Sequence, residues 1–112
     1  MSARLRSDFF VSAHLRRCAV EGVDAVLRRR GAAEAGAIFL KVDRLDGTAD
    51  LYGPAPQSLV DDSGERRFTA LMGSAAPPDV DARLAREGRF DPDYWLIEID
   101  DRAGRHLLAL AE

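Results

Sequence analysis

The chain carries one cysteine, one tryptophan and two histidines in 112 residues, and among its sixteen basic residues only Lys41 is not arginine. Each shortage removes a class of function. Cys18 alone cannot close an internal disulfide, which fits a reducing compartment and makes the cytoplasm the default location. The longest apolar runs, such as Ala35 to Leu40, fall far short of the roughly 20 residues that span a bilayer, so no membrane partner is expected. Met1 to Asp8 is basic but has no apolar segment before a small-residue cleavage site, so a secretory signal is not expected. No motif fixes a chemistry. An enzyme is therefore the less favoured expectation, and no cofactor is expected.

What is present is ordinary globular usage. Hydrophobic residues make up 46% and charged residues 31% of the chain, enough for one core and too short a chain for two. Residues 1–112 are read as a single domain. The net charge of −3 is unevenly spread: residues 1–31 hold seven arginines against Asp8, Glu21 and Asp24, and the remainder holds nine basic against sixteen acidic residues. Arginine suits bidentate contact with phosphates and carboxylates. A codon bias gives the same preference without any binding role, and solvated charge is the commoner explanation.

Ser7 as N-cap, Asp8 in the first turn and Gly22 as terminator bracket a first helix. Val11, Leu15 and Cys18 share a stripe at i, i+4, i+7 and form its expected buried face. His14 precedes Cys18 by four residues, a spacing that suits a metal pair or an activated thiol. A metal site needs three or four ligands, and His106 is the only other histidine, so a buried cysteine with a rim histidine is the expectation. Val23 to Arg30 reads as a strand, with Arg28 and Arg30 on one face and Arg29 on the other. No aromatic residue interleaves that triplet to stack bases, which disfavours nucleic acid as a partner.

Ile38, Leu40 and Val42 alternate with Phe39 and Lys41, Asp46-Gly47 supplies a tight turn, and Thr48 to Tyr52 returns: a β-hairpin. Asp43, Asp46 and Asp50 lie at the wrong spacing for a calcium loop and read as turn chemistry. Gly53-Pro54 ends the hairpin, Ser58 to Glu65 is a polar loop, and Arg66 to Met72 fits a short strand or a turn of helix equally well. A second helix runs from about Pro78 to Gly88, with Asp79 as cap and Arg83, Arg86 and Arg89 as a basic ridge.

That helix leads into the most informative stretch, Arg86 to Arg105. Gly88 allows a left-handed helix end, and Pro92 biases Asp91 away from helix. Trp95, Ile97 and Ile99 then alternate with Leu96, Glu98 and Asp100 as in a half-buried strand. Asp101 to Gly104, which contains Arg102, is a turn, and His106 to Leu110 a returning strand. Arg86 or Arg89, at the negative end of the helix, is placed to meet Asp91 or Asp93 and lock a helix-to-strand corner anchored by Trp95. The element order implies an α+β domain, with a mainly antiparallel sheet of about five strands and two helices packed on one face.

Several phrases carry a resemblance: Gly36 to Phe39, Arg44 to Thr48, Leu51 to Pro56, Arg89 to Trp95 and Glu98 to Arg102. Together they resemble a family of short alphaproteobacterial proteins known as domain-of-unknown-function family 1491, over nearly the whole chain. The resemblance implies a stand-alone soluble bacterial protein and carries no activity with it. Three classes remain. The first is a non-enzymatic binding or regulatory module, acting as a homo-oligomer or on another protein, with an exposed sheet face or edge. The second is a metal-dependent nuclease-like enzyme using Asp93, Glu98 and Asp100, which lacks the lysine expected after the second acid, so no metal site is expected. The third is nucleic-acid binding by the N-terminal arginines. The binding module is favoured, with Arg86, Arg89, Asp91, Asp93, Trp95, Glu98 and Arg102 as its candidate corner.

Overall fold

A computed structural model describes residues 5–56 and 65–111. The chain runs α1 (Ser7–Val20), β1 (Asp24–Arg29), β2 (Ile38–Asp43), β3 (Ala49–Pro54), β4 (Phe68–Ala75), α2 (Pro77–Phe90) and β5 (Trp95–Asp100). The strands form one five-stranded sheet in the order β1-β5-β2-β3-β4. All its pairings are antiparallel except that of β2 with β5, which sets Ile38 beside Trp95 and Asp43 beside Asp100. Antiparallel neighbours need only a hairpin, whereas a parallel pair needs a crossover. Here β3, β4 and α2 together make that crossover, and β5 enters between β1 and β2. The α+β class and the mainly antiparallel sheet are as the sequence implies, and of the stretch Arg66 to Met72, Phe68 to Met72 is strand, the first part of β4.

The helices, however, do not share a face. Val11 and Cys18 of α1 pack with Ile38, Leu40, Val42, Trp95, Ile97 and Ile99, while Val80 and Leu84 of α2 pack with Phe39, Leu51 and Tyr94. Successive strand residues point to opposite faces, so Ile38 and Phe39 belong to two separate cores. The reason is visible in β2, where Ile38, Phe39, Leu40, Lys41 and Val42 are all buried: a strand apolar on both sides needs cover on both sides.

Four local expectations also change. Ser7 is the first helical residue rather than the cap: its hydroxyl donates to the Gly36 carbonyl at 2.7 Å, and Arg6 takes the cap position without a side-chain capping bond. α2 continues through Gly88 to Phe90, and Ala76 rather than Asp79 precedes its first turn, because Pro77 and Pro78 suit the opening positions where N–H groups lack partners. A bulge between Leu27 and Arg29 breaks the alternation of β1. As a result Arg28 meets Glu98 on the α2 side while Arg30 lies over Trp95 on the α1 side. Finally, His106 to Leu110 is not a strand. It is an irregular segment tied to β4 by a single bridge between Phe68 and Leu110, with Phe68 N–H donating to Ala109 and Ala111 N–H to Phe68. The loop read at Ser58 to Glu65 lies, apart from Glu65, outside the described residues.

Candidate binding surface

The corner between α2 and β5 is a joint, built from backbone. Asp91 receives the Asp93 N–H at 3.0 Å on one carboxylate oxygen and the Ala37 N–H at 3.1 Å on the other. Trp95 donates its backbone N–H to Ala37 and its indole N–H to Ala32, at 2.7 and 2.8 Å. Ala32 returns a bond to the Asp93 carbonyl at 2.9 Å. The segment 31–37 is thereby stapled to the corner on one side and, through Ser7, to the start of α1 on the other. Trp95 is only 1% exposed, as its expected role of anchor requires.

The cation at this corner is not the one expected. Among the described residues, neither Arg86 nor Arg89 forms an ion pair with Asp91 or Asp93, and both arginines are exposed. Arg29 takes the place instead: its guanidinium donates to the Tyr94 and Pro92 carbonyls and lies 4.2 Å from the Tyr94 ring centroid. At the helix end the Glu87 carbonyl accepts the Asp91 N–H, whereas the turn carbonyls of Pro92 and Tyr94 accept from Arg29 of β1. Arg102 stands at the other end of β5, exposed in its turn, and donates to the Leu45 carbonyl at 3.3 Å.

Of the expected acids, Glu98 and Asp100 come together and Asp93 does not. Asp93 precedes Glu98 by five residues, roughly 16 Å along an extended chain. Its place is taken by Asp43, the last residue of β2, which the parallel register sets beside Asp100. Carboxylate oxygens of Asp43, Glu98 and Asp100 all lie within 4.8 Å of one another. Asp24, opposite Asp100 on β1, adds a fourth acid. α2 packs over β3 and β4 and leaves this half of its face open. Burial, followed by repulsion from Glu98, Asp43 and Asp24, holds the Asp100 carboxyl above its usual range. Arg28 offsets part of the charge through Glu98 at 3.3 Å, and Asp43 receives the Leu45 N–H at 2.8 Å. Lys41 stands opposite Glu98 in register, but its ammonium turns to Asp81 of α2 at 3.2 Å.

No signal within β2 alone marks Asp43 as a neighbour of Asp100. Both close an alternating strand, and only the parallel pairing joins them. Arg29 was hidden by the bulge, which redirects the triplet.

His14 and Cys18 form no catalytic pair. Cys18 is fully buried, and burial raises its thiol pKa, which is the reverse of activation. His14 is buried too, not at the rim: its Nε2 bonds the His106 carbonyl at 2.9 Å, its ring stacks on Phe10, and burial lowers its pKa. It extends the stripe of Ser7, Val11 and Cys18 by helical spacing, whereas Leu15 is only partly buried. Two of the N-terminal arginines are similarly engaged within the fold, Arg6 with Asp8 and Glu34 and Arg17 with the Leu107 carbonyl.

Comparison with known proteins agrees with this architecture. The family described as "Protein of unknown function (DUF1491)" matches residues 5–109. The solution structure of an A. tumefaciens protein is 43% identical, with a TM-score of 0.83, over 96% of this chain and 94% of that one. The crystal structure of a DUF1491 family protein from Caulobacter crescentus is 39% identical, with a TM-score of 0.77, over 96% of this chain and 98% of that one. An NMR structure of a DUF1491 family protein from the same organism is 42% identical, with a TM-score of 0.76, over 96% and 94%. None of the curated proteins matches the chain. No helix of the described residues is long and apolar enough to cross a membrane.

Proposed function

Since the chain belongs to the DUF1491 family, to which no activity is attached, we propose from its own geometry that it is a non-enzymatic binding module. It forms one domain over residues 1–112, works as a homo-oligomer in the bacterial cytoplasm, and presents the open half of its sheet to a positively charged segment of another protein. The observation that carries this reading is the gathering of Asp24, Asp43, Glu98 and Asp100 on the part of the face that α2 leaves uncovered. Like charges held together in the fold oppose folding, and a cation placed among them removes that opposition. The reducing compartment suits the single buried thiol. Nucleic acid is the poorer partner, because Arg28, Arg29 and Arg30 are occupied by Glu98, Tyr94 and Trp95.

Calorimetric titration with an arginine- and lysine-rich peptide tests the reading. Binding is expected at low ionic strength, and it weakens as salt screens the face and in Glu98→Gln and Asp100→Asn. A peptide that fails to bind at low salt overturns it. A second reading, a divalent-metal-dependent hydrolase, has its own support in the 4.8 Å convergence of Asp43, Glu98 and Asp100 and in Lys41 on the neighbouring strand. It takes over if manganese or magnesium binds at micromolar concentration, Glu98→Gln abolishes that binding and Lys41 leaves Asp81, to which its ammonium is now turned.

A further inference from the structure

The two edges of the sheet are not equivalent. β4 is blunted: its pairing with β3 is interrupted by two irregularities, Ser74 is left-handed at φ 48°, and the segment around Leu110 closes its beginning. β1 has no such cover among the described residues, and from Asp24 to Leu27 its register with β5 runs without a break. An exposed edge strand is a template for pairing with another chain, and its side chains decide which chain.

A two-fold axis that joins two copies of β1 antiparallel pairs residues an even number of positions apart, so the sequence of β1 selects the register. Centred on Val26, the axis places Val26 against its own copy and Ala25 against Leu27. Asp24 then faces Arg28 twice, once on each side of the axis, and Arg28, whose Nε is given to Glu98, meets the Asp24 carboxylate with its terminal guanidinium nitrogens. The strand is thus self-complementary in charge and in apolar character. Val26 is 43% exposed, large for a valine on a sheet. The two most exposed large apolar side chains among the described residues, Val20 at 78% and Phe90 at 87%, flank this edge: Val20 precedes the turn into β1, and Phe90 precedes the corner that Arg29 binds at the end of β1.

We propose that the protein dimerises through β1, antiparallel about Val26, to make a continuous ten-stranded sheet. The proposal rests on the homo-oligomeric part of the function given above and specifies its seam. An axis normal to the sheet keeps like faces together, so the two acidic surfaces join into one floor with an α2 helix standing on each side. Antiparallel pairing also brings Val20 of one copy to the end of the seam that holds Phe90 of the other. The partner recognised at this edge is a second copy of the chain.

Sedimentation equilibrium of the full chain, combined with cysteine crosslinking, tests it. The wild type is expected to dimerise in a concentration-dependent way. Asp24→Arg, which sets like charges against Arg28, weakens the dimer at least tenfold, and Asp24→Arg with Arg28→Asp restores most of that loss. Val26→Cys is expected to form a disulfide-linked dimer under mild oxidation, since directly opposed strand residues bring Cα atoms to about 4.5 to 5.5 Å, within disulfide range. Asp24→Cys, which faces position 28, does not crosslink, and the buried Cys18 stays silent. Cooperative thermal unfolding of Asp24→Arg, at or above the wild-type midpoint, shows that the fold is intact. A wild type that stays monomeric at high concentration overturns both the seam and the homo-oligomer reading. A dimer that ignores Asp24→Arg and leaves Val26→Cys uncrosslinked overturns the seam alone.

Discussion

The indole N–H of Trp95 donates to the carbonyl of Ala32 across 2.8 Å, binding the first residue of β5 to the connection between β1 and β2. Trp95→Ala removes this bond together with a side chain that is 1% exposed, and is expected to cost roughly 3 to 5 kcal/mol, as large aromatic truncations in cores do. Asp91→Asn retains one acceptor oxygen of two and is expected to cost about 1 kcal/mol. Urea unfolding of both variants measures the difference, and an unchanged midpoint for Trp95→Ala would mean the indole is dispensable.

Gly36 is held against the same corner. A Cβ there would stand 2.4 Å from the Asp93 carbonyl oxygen, whereas one at Gly73 would meet nothing within 4 Å. Gly36→Ala is expected to lose about 1 to 3 kcal/mol from the forced backbone shift, with Gly73→Ala close to neutral. Equal melting temperatures for the two variants would contradict the tight approach.

Cys18 is expected to resist a thiol reagent in the native protein and to react fully in denaturant, because it is 0% exposed and burial disfavours its thiolate. Rapid stoichiometric labelling without denaturant would falsify its burial between α1 and the sheet.

Burial holds the pKa of both His14 and His106 below the ordinary 6.5. The unfolded chain therefore takes up protons first as pH falls, and stability contributed by the neutral rings is lost from about pH 6.5 downward until the folded protein is protonated too. Thermal melts between pH 7.5 and 5 should show this fall, and His14→Gln should flatten it. An equal slope in the variant would show that His14 stays uncoupled from folding.

Asp100 works in the opposite sense. Its raised pKa means that the folded state binds its proton more readily, so the penalty of the ionised form is full at neutral pH and fades as pH falls toward the ordinary carboxylate value. Asp100→Asn is expected to raise stability at pH 7 by about 0.5 to 1 kcal/mol, the scale of cross-strand charge effects. The gain should shrink on acidification. A less stable variant at pH 7 would indicate that the carboxylate has a partner that outweighs its neighbours.

Much of the fold was legible because it is written in local periodicity. The stripe of Val11 and Cys18, the alternation from Ile38 to Val42, and Trp95-Ile97-Ile99 each state their element within a few residues. What could not be read depends on where elements meet. Nothing in Val80 or Leu84 says which side of the sheet α2 will choose, and nothing in Asp43 says that β5 will arrive beside it in parallel. The corner was legible as a corner, from Pro92 and Trp95. Its cation was not, since Arg29 reaches it from more than sixty residues away through a bulge with no signature in the sequence.

β5 fills the slot between β1 and β2, yet it is the last strand to be made. Until residues 95–100 have left the ribosome, β1 lacks β5, its only neighbouring strand among the described residues, and β2 keeps one side unpaired. The α1 core likewise lacks Trp95, Ile97 and Ile99. The nascent chain can form α1 and the β2–β3 hairpin early, because these contacts are local, but the molecule closes only after residues 95–100 have emerged. Contacts so distant along the chain fold slowly and leave apolar strands exposed in the interval. A premature stop before Trp95 therefore yields a polypeptide for proteases and chaperones and no smaller working protein.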